Sequence, residues 1–145
     1  MENTQSASKS PKLKLDFKDS KYATGRRKKS IAKVWLKKGS GIIHVNGKKM
    51  VDYFKKQNLQ IAIFRPLTIS KRENEFDVRC SVKGGGFSGQ AGAIIHGLSR
   101  AIIQFEPELK STLKKEKLTT RDSRAVERKK YGRKKARRSY QFSKR

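Results

Sequence analysis

The run from Lys83 to Gly92, KGGGFSGQAG, gathers the residues of this chain most suggestive of chemistry. Gly84, Gly86 and Gly89 are spaced as G-x-G-x-x-G behind a strand pattern and ahead of a helical one. In that setting, bare backbone N–H groups at a helix N-terminus can hold a phosphate. A dinucleotide site needs more: a second parallel strand, ending about 20 residues on in an acid for the ribose hydroxyls. That distance falls on EPELK, Glu106 to Lys110, which reads as a helix start with no strand after it. A hydrolase phosphate loop would place Lys and then Ser or Thr after the last glycine, where this chain has Gln90 and Ala91. Ser88 imitates a nucleophile elbow in GFSGQ, but position 90 is Gln and no paired His and acid accompany it. Two compatible roles remain for the loop: a tight turn against a sheet, and a seat for a phosphate of a large RNA. No enzymatic activity and no cofactor are expected.

Metal chemistry has equally little support. His44 and His96 lie far apart without Cys or carboxylate neighbours at ligand spacing, so both read as structural residues. Cys80 is the single cysteine, which excludes an internal disulfide and reads as a small buried hydrophobe. Charge dominates instead. The 145 residues carry 38 Lys and Arg against 12 Asp and Glu, a formal charge of +26. A domain this basic repels itself unless a polyanion neutralises it, which points to nucleic acid. No apolar run approaches the roughly 20 residues of a membrane span. The first 20 residues lack a signal-peptide apolar core and carry acids that transit peptides avoid, so an intracellular protein without a membrane partner is expected.

Periodicity identifies the elements that must position the loop. Residues 1–20 are polar and aperiodic and read as a flexible arm, with order beginning near Tyr22. From Ser30 to Leu36, Ala32, Val34 and Leu36 form an apolar strand face, while Ile31, Lys33 and Trp35 make a mixed one. After KKGSG, Ile43 and Val45 continue the alternation to the turn signal Asn46-Gly47, and the simplest reading is an antiparallel pair. Met50, Val51, Tyr53 and Phe54 suggest a short helix, and Pro66 is expected to impose a break. FDVRCSV, Phe76 to Val82, is the clearest strand. Phe87, Ala91, Ile94, Ile95, Leu98 and Ile102 mark the main amphipathic helix, whose small residues would let it sit close to a sheet or to RNA. Pro107 opens a second, shorter helix bearing Leu109 and Leu113. After Leu118 the periodicity stops; from Tyr131 onward there are seven basic residues and no acids. Such a segment cannot build a core and must stay loose or be held by a partner. The expected organisation is an arm over 1–20, a globular RNA-binding domain over 21–118 and a basic tail over 119–145.

Three segments together resemble one family: YATGRRKKSIAKVW (Tyr22 to Trp35), VKGGGFSGQAGAIIHGLSRAI (Val82 to Ile102) and TRDSRAVERKKYGRKKARRSYQFSKR (Thr120 to Arg145). They are similar to the bacterial form of the universal small-ribosomal-subunit protein nine. The resemblance implies an α+β, two-layer sandwich of a mostly antiparallel sheet with packed helices, plus a long extended basic C-terminal tail. It implies a structural constituent of the small subunit, bound to ribosomal RNA beside neighbouring head proteins, with the end of the tail contacting peptidyl-site tRNA. The bacterial cytoplasm is the expected setting, a mitochondrial or plastid ribosome the alternative.

The expected ribosomal-RNA contacts fall in three places, the first two read from the residues themselves and the third carried over from the resemblance. Arg26, Arg27, Lys28 and Lys29 precede the first clear strand, where the alternative is a charged loop facing solvent. The glycine loop contributes Lys83, Gly84, Gly85, Gly86 and Gln90. The tail contributes Arg121, Arg124, Arg128, Lys129, Lys130, Arg133, Lys134, Lys135, Arg137 and Arg138. Carried over from the family, Lys144 and Arg145 are the tRNA candidates, with Ser143 and Gln141 as lesser ones. Tyr131, Tyr140 and Phe142 could stack on unpaired bases or simply pack in RNA crevices. Two rivals compete: a free-standing basic nucleic-acid chaperone, and a nucleotide-dependent enzyme built on Gly84 to Gly89.

Overall fold

The computed structural model describes residues 18–144; the arm expected over 1–20 lies outside them up to residue 17. The first element, β1 (Lys21–Arg27), was not expected. It turns at Lys28 and Lys29 into β2 (Ser30–Lys38) as an antiparallel hairpin in which Arg27 faces Ser30. Its inward residues are Ala23 and Gly25, too small to announce a buried face.

Strand β5 (Phe76–Lys83) pairs antiparallel with β2, setting Val34 opposite Cys80 and Leu36 opposite Val78. The short β3 (Ile43–Val45) lies on the other side of β5 and runs parallel to it. The expected pairing of the 30–36 and 43–45 segments is therefore corrected: β5 is inserted between them. The inserting device is Asp77, whose Oδ1 accepts the N–H groups of Ser40 at 2.8 Å and Ile42 at 3.0 Å. This fastens the 39–42 link across the start of β5. Partial burial pushes the Asp77 carboxyl up, but the Ile42 and Ser40 donors outweigh it and hold its pKa below the ordinary value. Asn46 and Gly47, with φ of 51° and 81°, turn β3 into the two-residue β4 (Lys48–Lys49). The Asn46 amide accepts the Val82 N–H at 2.8 Å and donates to the Val82 carbonyl at 3.1 Å, continuing the ladder where β3 has ended. The sheet order is β1-β2-β5-β3-β4, mixed, with the β3–β5 pair parallel and the rest antiparallel.

Helix α1 (Met50–Tyr53) is the short helix the sequence suggests. Helix α2 (Gln57–Ile69) overturns the expected break, because it passes through Pro66. An interior proline costs about 3 kcal/mol, but Pro66 is itself buried beside Ile63 and Leu67, and each fully buried apolar side chain contributes about 1.5–3 kcal/mol. Helix α3 (Phe87–Phe105) lies across β1 and β2, with α2 against its flank. It approaches closely because Gly97 meets Gly25: a Cβ on Gly25 would stand 1.8 Å from the Ala93 carbonyl oxygen. Pro107 opens a 3-10 turn (Pro107–Leu109) that leads into α4 (Lys110–Lys115), which buries Leu113.

The core between the layers holds Val34, Leu36, Ile63, Val78, Ile94, Leu98 and Ile102, all fully buried. Cys80 lies among them, and burial pushes its thiol up to about 12, so it behaves as the expected small hydrophobe. Helices cover one face of the sheet. On the other, Tyr22, Ile31, Lys33, Arg79 and Lys83 remain exposed. Leu118 is the last buried residue, and no helix or strand is formed from 119 to 144.

Candidate nucleic-acid interface

At the end of β5, Gly84 and Gly85 take φ of 74° and 62°, where a side chain would be strained. A Cβ on Gly85 would also stand 2.2 Å from the Ser30 hydroxyl oxygen. That hydroxyl donates to the Gly84 carbonyl at 3.0 Å, so the β1–β2 hairpin fastens the loop from below. Gln90, expected among the RNA contacts, has both ends of its amide engaged within the protein. Nε2 donates to the Gly84 carbonyl at 3.2 Å, and Oε1 accepts the Tyr53 hydroxyl at 2.9 Å. The turn role of the glycines is thus built. Gly86 then caps α3 with no side-chain partner; it is exposed, with open space before it. Lys83, Gly84 and Gly85 are exposed too. After α3 the chain enters the 3-10 turn and α4, so among the described residues no second strand offers a ribose carboxylate.

The hairpin turn brings Arg26, Arg27, Lys28 and Lys29 beside this loop and beside the root of the tail. Arg27 lies over Gly92 of α3, whose missing side chain leaves it room. Its guanidinium pairs with Asp122 at 3.4 Å, and Asp122 also takes Arg124 at 2.9 Å. The hydrogen bonds from Arg124, with the Arg27 charge behind them, hold the Asp122 carboxyl well below the usual carboxylate range against partial burial. A cleft of about 640 Å³ opens over this junction, lined by Arg26, Arg27, Arg65, His96, Arg121 and Arg124 among others. Within it, Arg65 is paired to Glu116 at 2.7 Å.

A neighbouring cavity of about 270 Å³ is lined by Thr24, Arg26, His96, Arg100 and Arg121, with no carboxylate. Arg100 is aimed by its hydrogen bond to the Thr24 carbonyl at 2.7 Å. His96 Nδ1 accepts the Arg26 N–H at 3.2 Å. Burial lowers the His96 pKa, and the charges of Arg100 and Arg121 lower it further, so the ring is neutral near pH 7. Guanidiniums gathered around a neutral imidazole can clasp a phosphodiester through planar donor forks. His96 therefore does the structural work expected of it and also lines the cavity. Sequence reasoning missed Arg100 and Arg65. Gly92, His96 and Arg100 recur every four residues along the polar side of α3, but only the fold shows that β1 and the tail root meet that side.

Further along, Glu127 pairs with Lys130 and, at 2.9 Å, with Arg137. Arg133 donates to the Arg137 carbonyl at 3.0 Å and to the Ser139 hydroxyl at 3.1 Å. Arg128, Lys129, Lys134, Lys135 and Arg138 are exposed, as are Tyr131, Tyr140, Gln141, Phe142, Ser143 and Lys144; Arg145 lies outside the described residues. The predicted contacts thus fall into two groups: a junction of hairpin, glycine loop and tail root, and a stretch of tail beyond it. No three His, Cys, Asp or Glu residues gather as a metal site among the described residues, and no helix among them is long and apolar enough to cross a membrane. The model of the family described as ribosomal protein S9/S16 matches residues 25–145, taking in the hairpin turn, the glycine loop, the arginines of the cavity and the whole tail, and the chain belongs to that ribosomal protein family.

Proposed function

We propose that this small-subunit ribosomal protein holds folded ribosomal RNA of the subunit head through its hairpin–cleft junction and tail, and that Ser143, Lys144 and Arg145 contact peptidyl-site tRNA. The observation that carries the RNA reading is the acid-free cavity where Arg26, Arg100 and Arg121 converge from β1, α3 and the tail root. Helix α3 offers its uncapped N-terminus beside the same junction, so backbone N–H groups add a second phosphate seat at Gly86. The protein acts by neutralising charge and fixing RNA geometry, with no catalysis of its own. Residues 21–118 serve as the docking domain and 119–145 as the threading tail. The assignment of the last residues to tRNA, like the head location, the neighbouring head proteins and the bacterial setting, rests on the likeness of the tail and glycine-loop motifs to the bacterial form of the family.

Co-sedimentation of the full-length protein with small subunits across a salt series, beside an unrelated RNA of equal length, tests the seat. Retention on subunits at salt that strips the control RNA is expected, because nonspecific phosphate binding falls steeply with salt. Equal loss from both would leave a charge-driven chaperone as the better description. Removing Lys144 and Arg145 is expected to leave incorporation nearly intact and to weaken peptidyl-site tRNA binding. Collapse of incorporation would show that the division between anchoring and tRNA-contacting residues is wrong.

A further inference from the structure

The face of the sheet that the helices leave uncovered carries an ordered row of side chains. The pairing sets Tyr22 opposite Trp35, Trp35 opposite Arg79 and Arg79 opposite His44, so the row crosses four strands. The Tyr22 and Trp35 rings lie 5.4 Å apart, tilted by 45°, and the Arg79 guanidinium stands 5.8 Å from the Trp35 ring centre. Two further rows follow on one side of it, Thr24, Lys33 and Ser81, then Arg26, Ile31 and Lys83; on the other side Lys37 is opposite Asp77. Tyr22 and Ile31 are 43% and 42% exposed, while the alternate residues of the same strands form the core. The acid of this face, Asp77, sits at the end of β5 and is occupied by the Ser40 and Ile42 N–H groups.

An exposed Tyr22 ring beside a half-buried Trp35, with cations around them, suits one kind of occupant. Unpaired nucleotides stack on aromatic rings and guanidinium planes displayed by a sheet, while their phosphates seek flanking cations. We propose that this face is a further RNA-docking surface: an unpaired base stacks on the Tyr22–Trp35–Arg79 row while its flanking phosphates are held by Lys33 and Lys83. The proposal rests on the reading that RNA is the partner, but the residues it uses, Tyr22, Trp35, Arg79, Lys33 and Lys83, do not line the arginine cavity, which adjoins this face at Thr24 and Arg26. A neighbouring protein is the competing occupant, and the density of cation around the row disfavours it unless that protein is acidic.

Trp35 is the only tryptophan in the chain, so its emission reports on this face alone. The full-length protein is titrated with a fluorescently labelled oligoadenylate of roughly ten nucleotides, and in parallel with inorganic polyphosphate at the same salt. Quenching of Trp35 by the oligoadenylate and not by polyphosphate is expected. Tyr22→Ala and Arg79→Gln should each weaken the binding that causes the quenching roughly tenfold, while Tyr22→Phe, which keeps the ring, should leave it unchanged. Oligoadenylate binding seen by anisotropy, without any Trp35 response and with equal affinity in these variants, overturns the proposal while the reading of the cavity and tail stands. Absence of any RNA binding would sink both. In assembled small subunits, ultraviolet irradiation should leave nucleotide adducts on peptides bearing Tyr22 or Trp35. Amine cross-links from Lys33 and Lys83 to another protein, with no such adduct, would show that a protein covers the face instead.

Discussion

In the layered domain, position is set by burial: Val34, Leu36 and Ile94 are fully enclosed, and the cations beside them ride on elements the core has fixed. In the tail, Val126, Tyr131 and Phe142 stand 88%, 104% and 87% exposed, and the ties within it are surface ion pairs around Asp122 and Glu127 and exposed hydrogen bonds around Arg133 and Arg138. Such pairs are screened by salt and contribute little, against about 1–2 kcal/mol for ordering each backbone residue. The two regions therefore supply different things. On the proposed reading, the domain presents phosphate seats whose geometry exists before RNA arrives, as at Arg100 held on the Thr24 carbonyl. The tail supplies density of charge, and the RNA must impose the geometry.

Deleting 119–145 should give the largest effect, since Arg121 to Arg145 carries twelve Lys and Arg against two acids. Affinity for subunit RNA is expected to fall about a thousandfold at moderate salt, with a shallower salt dependence, while the domain's melting is barely altered. Filter binding across salt, paired with calorimetry, reads both; an unchanged salt slope would break the comparison. Within the domain, Gly25→Val should cost about 3 kcal/mol or more in denaturant unfolding, because its side chain would drive into the Ala93 carbonyl and force α3 off β1. Gly132→Ala, at φ 70° with nothing within 4 Å of its absent Cβ, should leave domain unfolding unchanged. Smaller effects sharpen the contrast further. Arg100→Gln should weaken RNA binding about tenfold and Lys134→Gln only about twofold, if preorganised cations outperform unfixed ones. Equal losses would mean that charge alone counts in both regions.

How much of this was legible depended on whether the signal was local. Strands β2 and β5 and helix α3 could be read because their apolar residues recur at the period of the element that buries them. Strand β1 escaped because it packs through Ala23 and Gly25, where smallness is the signal and alternation of large residues is absent. Periodicity assigns a face but not a neighbour, so the place of β3 beside β5 was hidden until Asp77 was seen holding a link some 35 residues away in sequence. Pro66 misled because a local rule was outweighed by tertiary packing. The same division holds at the interface. The cluster Arg26 to Lys29 and the basic tail announce themselves as runs. His96 and Arg100 become binding candidates only once β1, 70 and 76 residues earlier, is laid against them.

The smallest expected effect is also the most local probe of the arginine cavity. In the free protein the His96 pKa is lowered by burial and by Arg100 and Arg121, against the raising influence of the backbone hydrogen bond at Thr119. Its folded value thus lies below the unfolded one near 6.5. The unfolded chain takes up the proton first as pH falls, so the stability His96 contributes is present above 6.5 and is lost as pH falls through the folded value. A phosphate seated among Arg26, Arg100 and Arg121 adds negative charge beside the ring and should raise that pKa. Binding then takes up a proton between the free and bound values, and RNA affinity should rise modestly as pH falls through that window. A nuclear magnetic resonance titration of the His96 ring, with and without RNA, reads the shift directly. His96→Gln should remove its share of the pH dependence while leaving binding at pH 8 nearly unchanged. If RNA leaves the His96 titration where it was, the phosphate does not sit in this cavity, and the domain's advantage over the tail must come from the glycine loop or the open sheet face.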